Sequence, residues 1–284
     1  MLLSERQPFS KLIKSKTVPT TDRFGLSQYT QPMIGMEVEV ENCEDFNNIQ
    51  HSWLRDEDGS LRNHGQEFIM IPSEPNQVET AIDHLFDEVL PDDAHFSPRT
   101  SIHVHMNCRS LTFMQIYNII ITYQCFEDLL YDYAGIERKK SIFCVPVGNT
   151  RYYNQLKSCY QEDVLYDGWS KYTGLNTRRL ADLGTLEFRH LRGTTDKHVI
   201  FTWLHLLYRL YNYAVSQSTA DLENHIIEIG DSGDYMHFGH EVFGVHFGAL
   251  ESKNFIKKMA EDLTISKLYM RNITLSTLSH RERT

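Results

Sequence analysis

Cysteine is sparse and unpaired in this sequence. The five cysteines, at positions 43, 108, 125, 144 and 159, form no CxxC spacing and leave an odd number, which argues against a disulfide framework or a zinc ribbon and predicts a reducing, cytoplasmic setting. No run of 18 apolar residues occurs, so no membrane-spanning helix is expected, and the first thirty residues carry Lys11, Lys14 and Lys16 without the apolar stretch of a secretion signal. Positive charge is also short: 28 Lys and Arg stand against 38 Asp and Glu, a net charge of −10. That balance disfavours a general nucleic-acid surface and large polyanionic acceptors, and it suits a cation site. Internal repeats and low-complexity tracts are missing as well. What is present is ordinary globular material: 284 residues at 41% hydrophobic content, enough to bury a sizeable core.

Three segments alternate strictly, as half-buried strands do. Met33–Glu41 reads MIGMEVEVE, with Ile34, Met36, Val38 and Val40 on one face and Glu37, Glu39 and Glu41 on the other. Carboxylates about 7 Å apart on one strand face gain little by burial unless a cation sits between them. A divalent metal fits, although an isolated ExE also describes a solvated edge strand. Thr100–Asn107, TSIHVHMN, sets Ile102, Val104 and Met106 against His103, His105 and Asn107. Imidazoles at i and i+2 reach one cleft, where they bind a metal or donate to phosphate; alone, HxH is a common polar strand face. Gly184–Arg192, GTLEFRHLR, places Thr185, Glu187, Arg189 and Leu191 on one face and Leu186, Phe188, His190 and Arg192 on the other. A shorter strand, Gly65–Ile71, puts Glu67 beside Ile69 and Ile71, a carboxylate on an otherwise apolar side that needs a partner. It follows Trp53–Leu61, in which Asp58-Gly59 signals a turn.

Helical spacing fills the intervals. Asn76 opens a helix with Glu79 at the capping-box position and Pro91 at its end; a second runs from about Thr112 to Tyr133 with Gln115 able to cap it; a third covers roughly Asp196 to Ala214 around Trp203, Leu206, Leu207 and Leu210. A last amphipathic helix is predicted over Ser252–Leu263. Residues 135–175 read as loops or a small insertion. His237, His240 and His246 match no metal-ligand spacing and are read as loop or core histidines.

If the four extended segments share one antiparallel sheet with helices behind it, their chemical faces bring together Glu37, Glu39, Glu67 and Glu187, the two histidines and Arg189. Such a cluster repels itself without metal ions. Several carboxylate donors favour magnesium or manganese over zinc, and Mg²⁺ in such sites bridges to substrate phosphates, which points to ATP.

In that order the motifs ExE, GxE, HVHxN and LEFR resemble the glutamine synthetase superfamily, and within it the amidoligase family of carboxylate-amine ligases found in phages and bacteria. GMEVEVE, DGSLRNHGQEFIMIPSEP, SIHVHMN, YTGLN and GTLEFRHLRGT carry the likeness over about residues 33–200. The resemblance implies an α+β, glutamine synthetase-like catalytic fold: a curved antiparallel sheet lining the active site with helices on its outer face. Residues 1–32, polar and carrying Pro8 and Pro19, read as an N-terminal arm ahead of a catalytic domain expected over 33–284, with the motifs in 33–215 and a C-terminal helical extension over 216–284; the arm and the region after about 215 lie outside the resemblance. The resemblance further implies metal ligation by Glu37, Glu39, Glu67, His103 and Glu187. Nucleotide contacts fall to His105 and Asn107, and contact with the transferred phosphoryl group falls to Arg189, which acts with Glu187 and Glu67 in catalysis. Arg178, Arg179 and Arg192 are candidates for phosphate or substrate carboxylate, since guanidinium forks suit both. A second acid near the GxE position has no unambiguous match, and Asp58 is its nearest candidate.

The reaction implied is ATP-driven activation of a carboxylate to an acyl phosphate, attacked by an amine to give an amide, with Mg²⁺ or Mn²⁺ and one acid and one amine substrate. Two alternatives stand beside it: phosphate transfer to a guanidino or amine acceptor on the same fold, and a non-catalytic metal- or nucleotide-binding protein.

Overall fold

The computed structural model describes residues 32–150 and 169–270, apart from Asp45, Asn47, Asn48, Gln50 and His51, together with Leu156. Apart from Pro32, the arm expected over 1–32 lies outside the described residues, as does Cys159. Six strands form one antiparallel sheet: β1 Ile34–Val40, β2 Trp53–Asp56, β3 Gln66–Met70, β4 Ser101–Asn107, β5 Leu175–Asn176 and β6 Thr185–Arg192. Their order is β2-β3-β1-β4-β6-β5, so the acidic strand and the histidine strand are central neighbours. The described helices are α1 Pro75–His84, α2 Phe113–Gln124, α3 Glu127–Ala134, α4 Arg179–Asp182, α5 Lys197–Ser216, α6 Thr219–Ser232, α7 Tyr235–Phe243 and α8 Phe255–Tyr269. The fold class is α+β.

The alternation sorts the sheet into two faces. Met36, Val38, Val40, Phe68, Met70, Ile102, Val104, Met106, Leu186 and Phe188 are all buried on the apolar face. Helices cover it, because an apolar sheet face is stable only when another layer removes it from water. The Tyr123 ring of α2 stands edge-on to Phe188 at 6.1 Å, Tyr211 of α5 donates to the Asn107 carbonyl at 2.8 Å, and Trp53 Nε1 donates to the Ala81 carbonyl of α1 at 2.7 Å. The opposite face carries the acids and histidines. Glu67 and Ile69, expected on an apolar side, lie half-buried there, while Gln66, Phe68 and Met70 face the core.

Several expectations are corrected. α1 starts one residue earlier than Asn76: Glu74 is the N-cap, Pro75 occupies the first turn, and the box partner is Gln77 rather than Glu79, with Glu74 N donating to Gln77 Oε1 at 3.4 Å. Proline is tolerated there because its missing N–H would be unpaired in any case. The helix then widens into a π-type turn, Leu85–Val89, before Pro91. The single helix expected from Thr112 to Tyr133 is two. Thr112 and Gln115 do form the predicted capping box, but the chain breaks at Phe126, whose ring packs on Phe238 and Phe243, and the Asp262 carboxylate of α8 accepts from Asp128 N at 2.9 Å at the new N-terminus. A tertiary contact thus supplies the cap that local sequence does not show.

The third correction concerns β6. The register runs Ile102↔Leu191 and then Val104↔Phe188, so Arg189 and His190 together oppose His103. This bulge moves Leu191 to the core face, away from Glu187 and Arg189, and leaves His190 and Leu191 both fully buried. The last helix is longer and later than expected, Phe255–Tyr269. His237 and His240, read as loop or core residues, are exposed on α7, where His237 pairs with Glu241 at 3.3 Å. Among the described residues the cysteines are buried and free, and no helix is long and apolar enough to cross a membrane.

Candidate metal centre

The register builds the centre from neighbouring strands. Glu37 of β1 opposes His103 of β4 and Glu39 opposes Glu67 of β3; His105 of β4 opposes Glu187 of β6. Residues separated by as many as 150 positions in the sequence therefore share one patch, because they lie on the same pleat face of adjacent strands. His103 is the hub: its Nδ1 lies 2.9 Å from Glu37 Oε2 and 3.5 Å from Glu187 Oε1, and its Nε2 meets the Ser101 hydroxyl at 2.8 Å. Ser101 in turn donates both its backbone N–H and its hydroxyl to Glu39 Oε2, each at 2.7 Å. Thr185 meets His105 Nδ1 at 3.0 Å, which leaves Nε2 facing Glu37 Oε1 at 3.2 Å and Glu187 Oε1 at 4.0 Å.

Glu187 is fully buried and surrounded. Arg189 Nη1 donates to its Oε1, Asn176 Nδ2 to its Oε2 at 2.5 Å, and Arg179 Nε lies 3.6 Å from Oε2. Asn176 is the asparagine of YTGLN, and neither it nor Thr185 nor Ser101 was singled out from the sequence. Their one signal was adjacency: each sits on the chemical face of an alternating strand, or at the end of a quoted motif.

Burial alone would raise the Glu37 carboxyl, but the facing His105 and His103 outweigh it and hold it well below the ordinary carboxylate range. Glu187 is likewise lowered, with Arg189, His105 and His103 overriding burial. Burial opposes a charged His105, yet Glu37 and Glu187 raise its pKa. The two carboxylates thus favour the protonated form of the imidazole between them. Glu67 has no such partner, and burial together with the charges of Glu37, Glu39, Asp58 and Asp56 pushes it up to about 8.

The donors fall into three groups whose ligand atoms lie within 4.8 Å of one another: Glu37, Glu67 and His103; Glu37, His105 and Glu187; and Glu39, Asp58 and Glu67. Glu37 and Glu67 each belong to two groups. The set suits a divalent cation: hard oxygens dominate, His105 is oriented through its other nitrogen, and its Nε2 is buried without a hydrogen-bond partner. Asp58, only a nearest candidate by sequence, takes its place in the third group.

Residues 76–211 match the family model described as "Putative amidoligase enzyme". Over that span, just under half of its length, the chain is similar to the amidoligase family. The amidoligase match takes in β4, Asn176, Glu187 and Arg189; Glu37, Glu39, Asp58 and Glu67 precede it and join the centre through sheet pairing. No curated protein matches the chain.

Asn107, Arg178 and Arg192 are not among the donor groups. The Asn107 side-chain oxygen accepts from Arg109 N at 3.2 Å at the end of β4. Arg178 is exposed, and of the adjacent pair it is Arg179 that faces Glu187. Arg192 opposes Ser101 in the register and donates to the Tyr133 carbonyl at 3.3 Å.

Proposed function

We propose that this chain is a member of the amidoligase family, an ATP- and Mg²⁺-dependent carboxylate-amine ligase of glutamine synthetase-like fold. The reading rests above all on one observation: three overlapping groups of carboxylate and imidazole donors sit on one sheet face with Arg189 in contact with Glu187. Glu37, Glu39, Asp58, Glu67, His103, His105 and Glu187 would hold the divalent ions. Bound there, such ions offset the charge of ATP phosphates and orient them for transfer.

In the reaction a carboxylate oxygen of the acid substrate attacks the γ-phosphorus of ATP, the bond to ADP breaks, and an acyl phosphate forms. The amine nitrogen then attacks the acyl carbon, inorganic phosphate leaves, and the nitrogen gives up a proton. Such chemistry needs positioning and charge stabilisation more than a covalent nucleophile. Arg189 supplies a guanidinium beside the transferred group, and Glu187 holds that guanidinium in place. Arg179 adds a second cation on the Glu187 side, and Glu67, in its carboxylate form, is the base available to take the proton from the amine. Asn176 and Thr185 orient Glu187 and His105.

The test is a coupled assay on pools of carboxylates and amines, reading ATP-dependent products lighter by one water than the sum of the two substrates. Release of phosphate in step with amide is the expected result. A phosphorylated acceptor without an amide would assign the chain to phosphotransfer instead, and no ATP-dependent product at all would defeat the reading.

A further inference from the structure

Arg138 is a buried arginine that the proposed chemistry does not use. It sits on the short helical turn Ile136–Lys140. Gly135, with φ of 124°, starts that turn, and a Cβ there would lie 2.6 Å from a Glu137 carboxylate oxygen. From the turn the guanidinium reaches β6. Its Nε donates to the His190 carbonyl and its Nη2 to the Arg189 carbonyl, both at 3.0 Å.

Successive carbonyls of a regular strand point to opposite neighbours. One guanidinium can take both only where the bulge has turned them to the same side. On that side β5 pairs no further along β6 than Phe188; beyond it Arg189 N donates to the Gly174 carbonyl at 2.8 Å, and the Arg189 carbonyl also accepts from Cys144 Sγ at 3.3 Å. Arg138 thus stands where a strand is missing. The bulge it caps contains Arg189, whose side chain meets Glu187 on the polar face, and His190, whose ring lies in the core 2.6 Å from the Tyr123 hydroxyl.

We propose that Arg138 is the positioning residue for Arg189: its fork locks the β6 bulge in the form that aims Arg189 at Glu187. Its catalytic consequence rests on the ligase reading above. The locking itself rests on the geometry alone. A lysine at this position would meet one carbonyl and leave the other, because an ammonium is a point donor and a guanidinium a fork.

The experiment uses Arg138→Ala and Arg138→Lys in the full chain, with two readouts. In crystals of either variant, Arg189 is expected out of hydrogen-bond reach of Glu187; an unmoved Arg189 in both overturns the proposal. In ATP-dependent phosphate release, kcat is expected to fall roughly 100-fold with KM for ATP unchanged, and free guanidinium ion is expected to restore part of kcat to the alanine variant but not to the lysine variant. Wild-type kcat in both variants, or a loss with no rescue and an altered KM, counts against it. If Arg138→Ala does not fold, Arg138→Lys carries both readouts. If the wild type releases no phosphate, the ligase reading fails, and the position of Arg189 in the variant crystals decides the locking claim by itself.

Discussion

Glu187 shows how much one side chain depends on its neighbours. It is fully buried, yet Arg189, His105 and His103 keep it charged against the cost of burial. Glu187→Gln keeps the shape and removes the charge, so phosphate release is expected to fall by at least about 100-fold, while far-ultraviolet circular dichroism stays that of the wild type; a fully active, folded variant would count heavily against the assignment. Glu67 is the opposite case, a carboxyl held up to about 8. Without metal the folded chain keeps this proton while the unfolded chain loses it near the ordinary value, so the group's contribution to stability declines as pH rises from about 4.5 to about 8. Denaturant unfolding of metal-free protein across that window is expected to show Glu67→Gln gaining stability relative to the wild type. Added Mn²⁺ should reverse the order, because the wild-type carboxyl then gives up its proton to solvent and binds the ion as a carboxylate.

Strand β6 and its neighbours carry the argument at the level of elements. The alternation of GTLEFRHLR was enough to place Glu187 beside Arg189, and the same period assigned Leu191 to the wrong face. A bulge is an agreement between two strands about register, and no single strand encodes it. The helix break at Phe126 was hidden for a similar reason, since its cap, Asp262, comes from α8. Gly174, between the loop bridge to Val145 and the start of β5, illustrates the tolerance left at this junction: a Cβ there would lie 2.4 Å from the Tyr131 hydroxyl and 2.6 Å from His190 Nε2, both rings in the core. Gly174→Ala is expected to destabilise by about 1–3 kcal/mol through overpacking, read as a lower denaturant midpoint. Because Arg189 N bonds the Gly174 carbonyl, the same change is also expected to lower kcat.

For the whole molecule, the centre is a place where folding and binding share one electrostatic account. Overlapping donor groups of like charge meet on one face, with Glu37 common to two of them. A divalent ion that binds the folded state alone raises stability by mass action, about 2.7 kcal/mol at a hundred times its dissociation constant. Thermal melts are therefore expected to rise with Mg²⁺ or Mn²⁺ and to fall again with a chelator. Glu37→Gln should abolish most of that rise, whereas Arg192→Gln should leave it intact, since Arg192 is engaged at the Tyr133 carbonyl. A Glu37→Gln protein that keeps the full metal-induced shift would place the ions elsewhere.

The sequence by itself determined which residue types face which way along each strand. Alternation has a period of two, and burial of Met36, Val38, Ile102 and Val104 forces Glu37, Glu39, His103 and His105 to the other side. Only the tertiary structure decided which strands are neighbours, where β6 bulges, that Arg179 rather than Arg178 faces Glu187, and that Asp58, Asn176, Ser101 and Thr185 join the centre. Side-chain direction is a local consequence of backbone geometry. Convergence is set by register and packing between segments far apart in the chain, and those are settled only when the whole sheet closes on its helices.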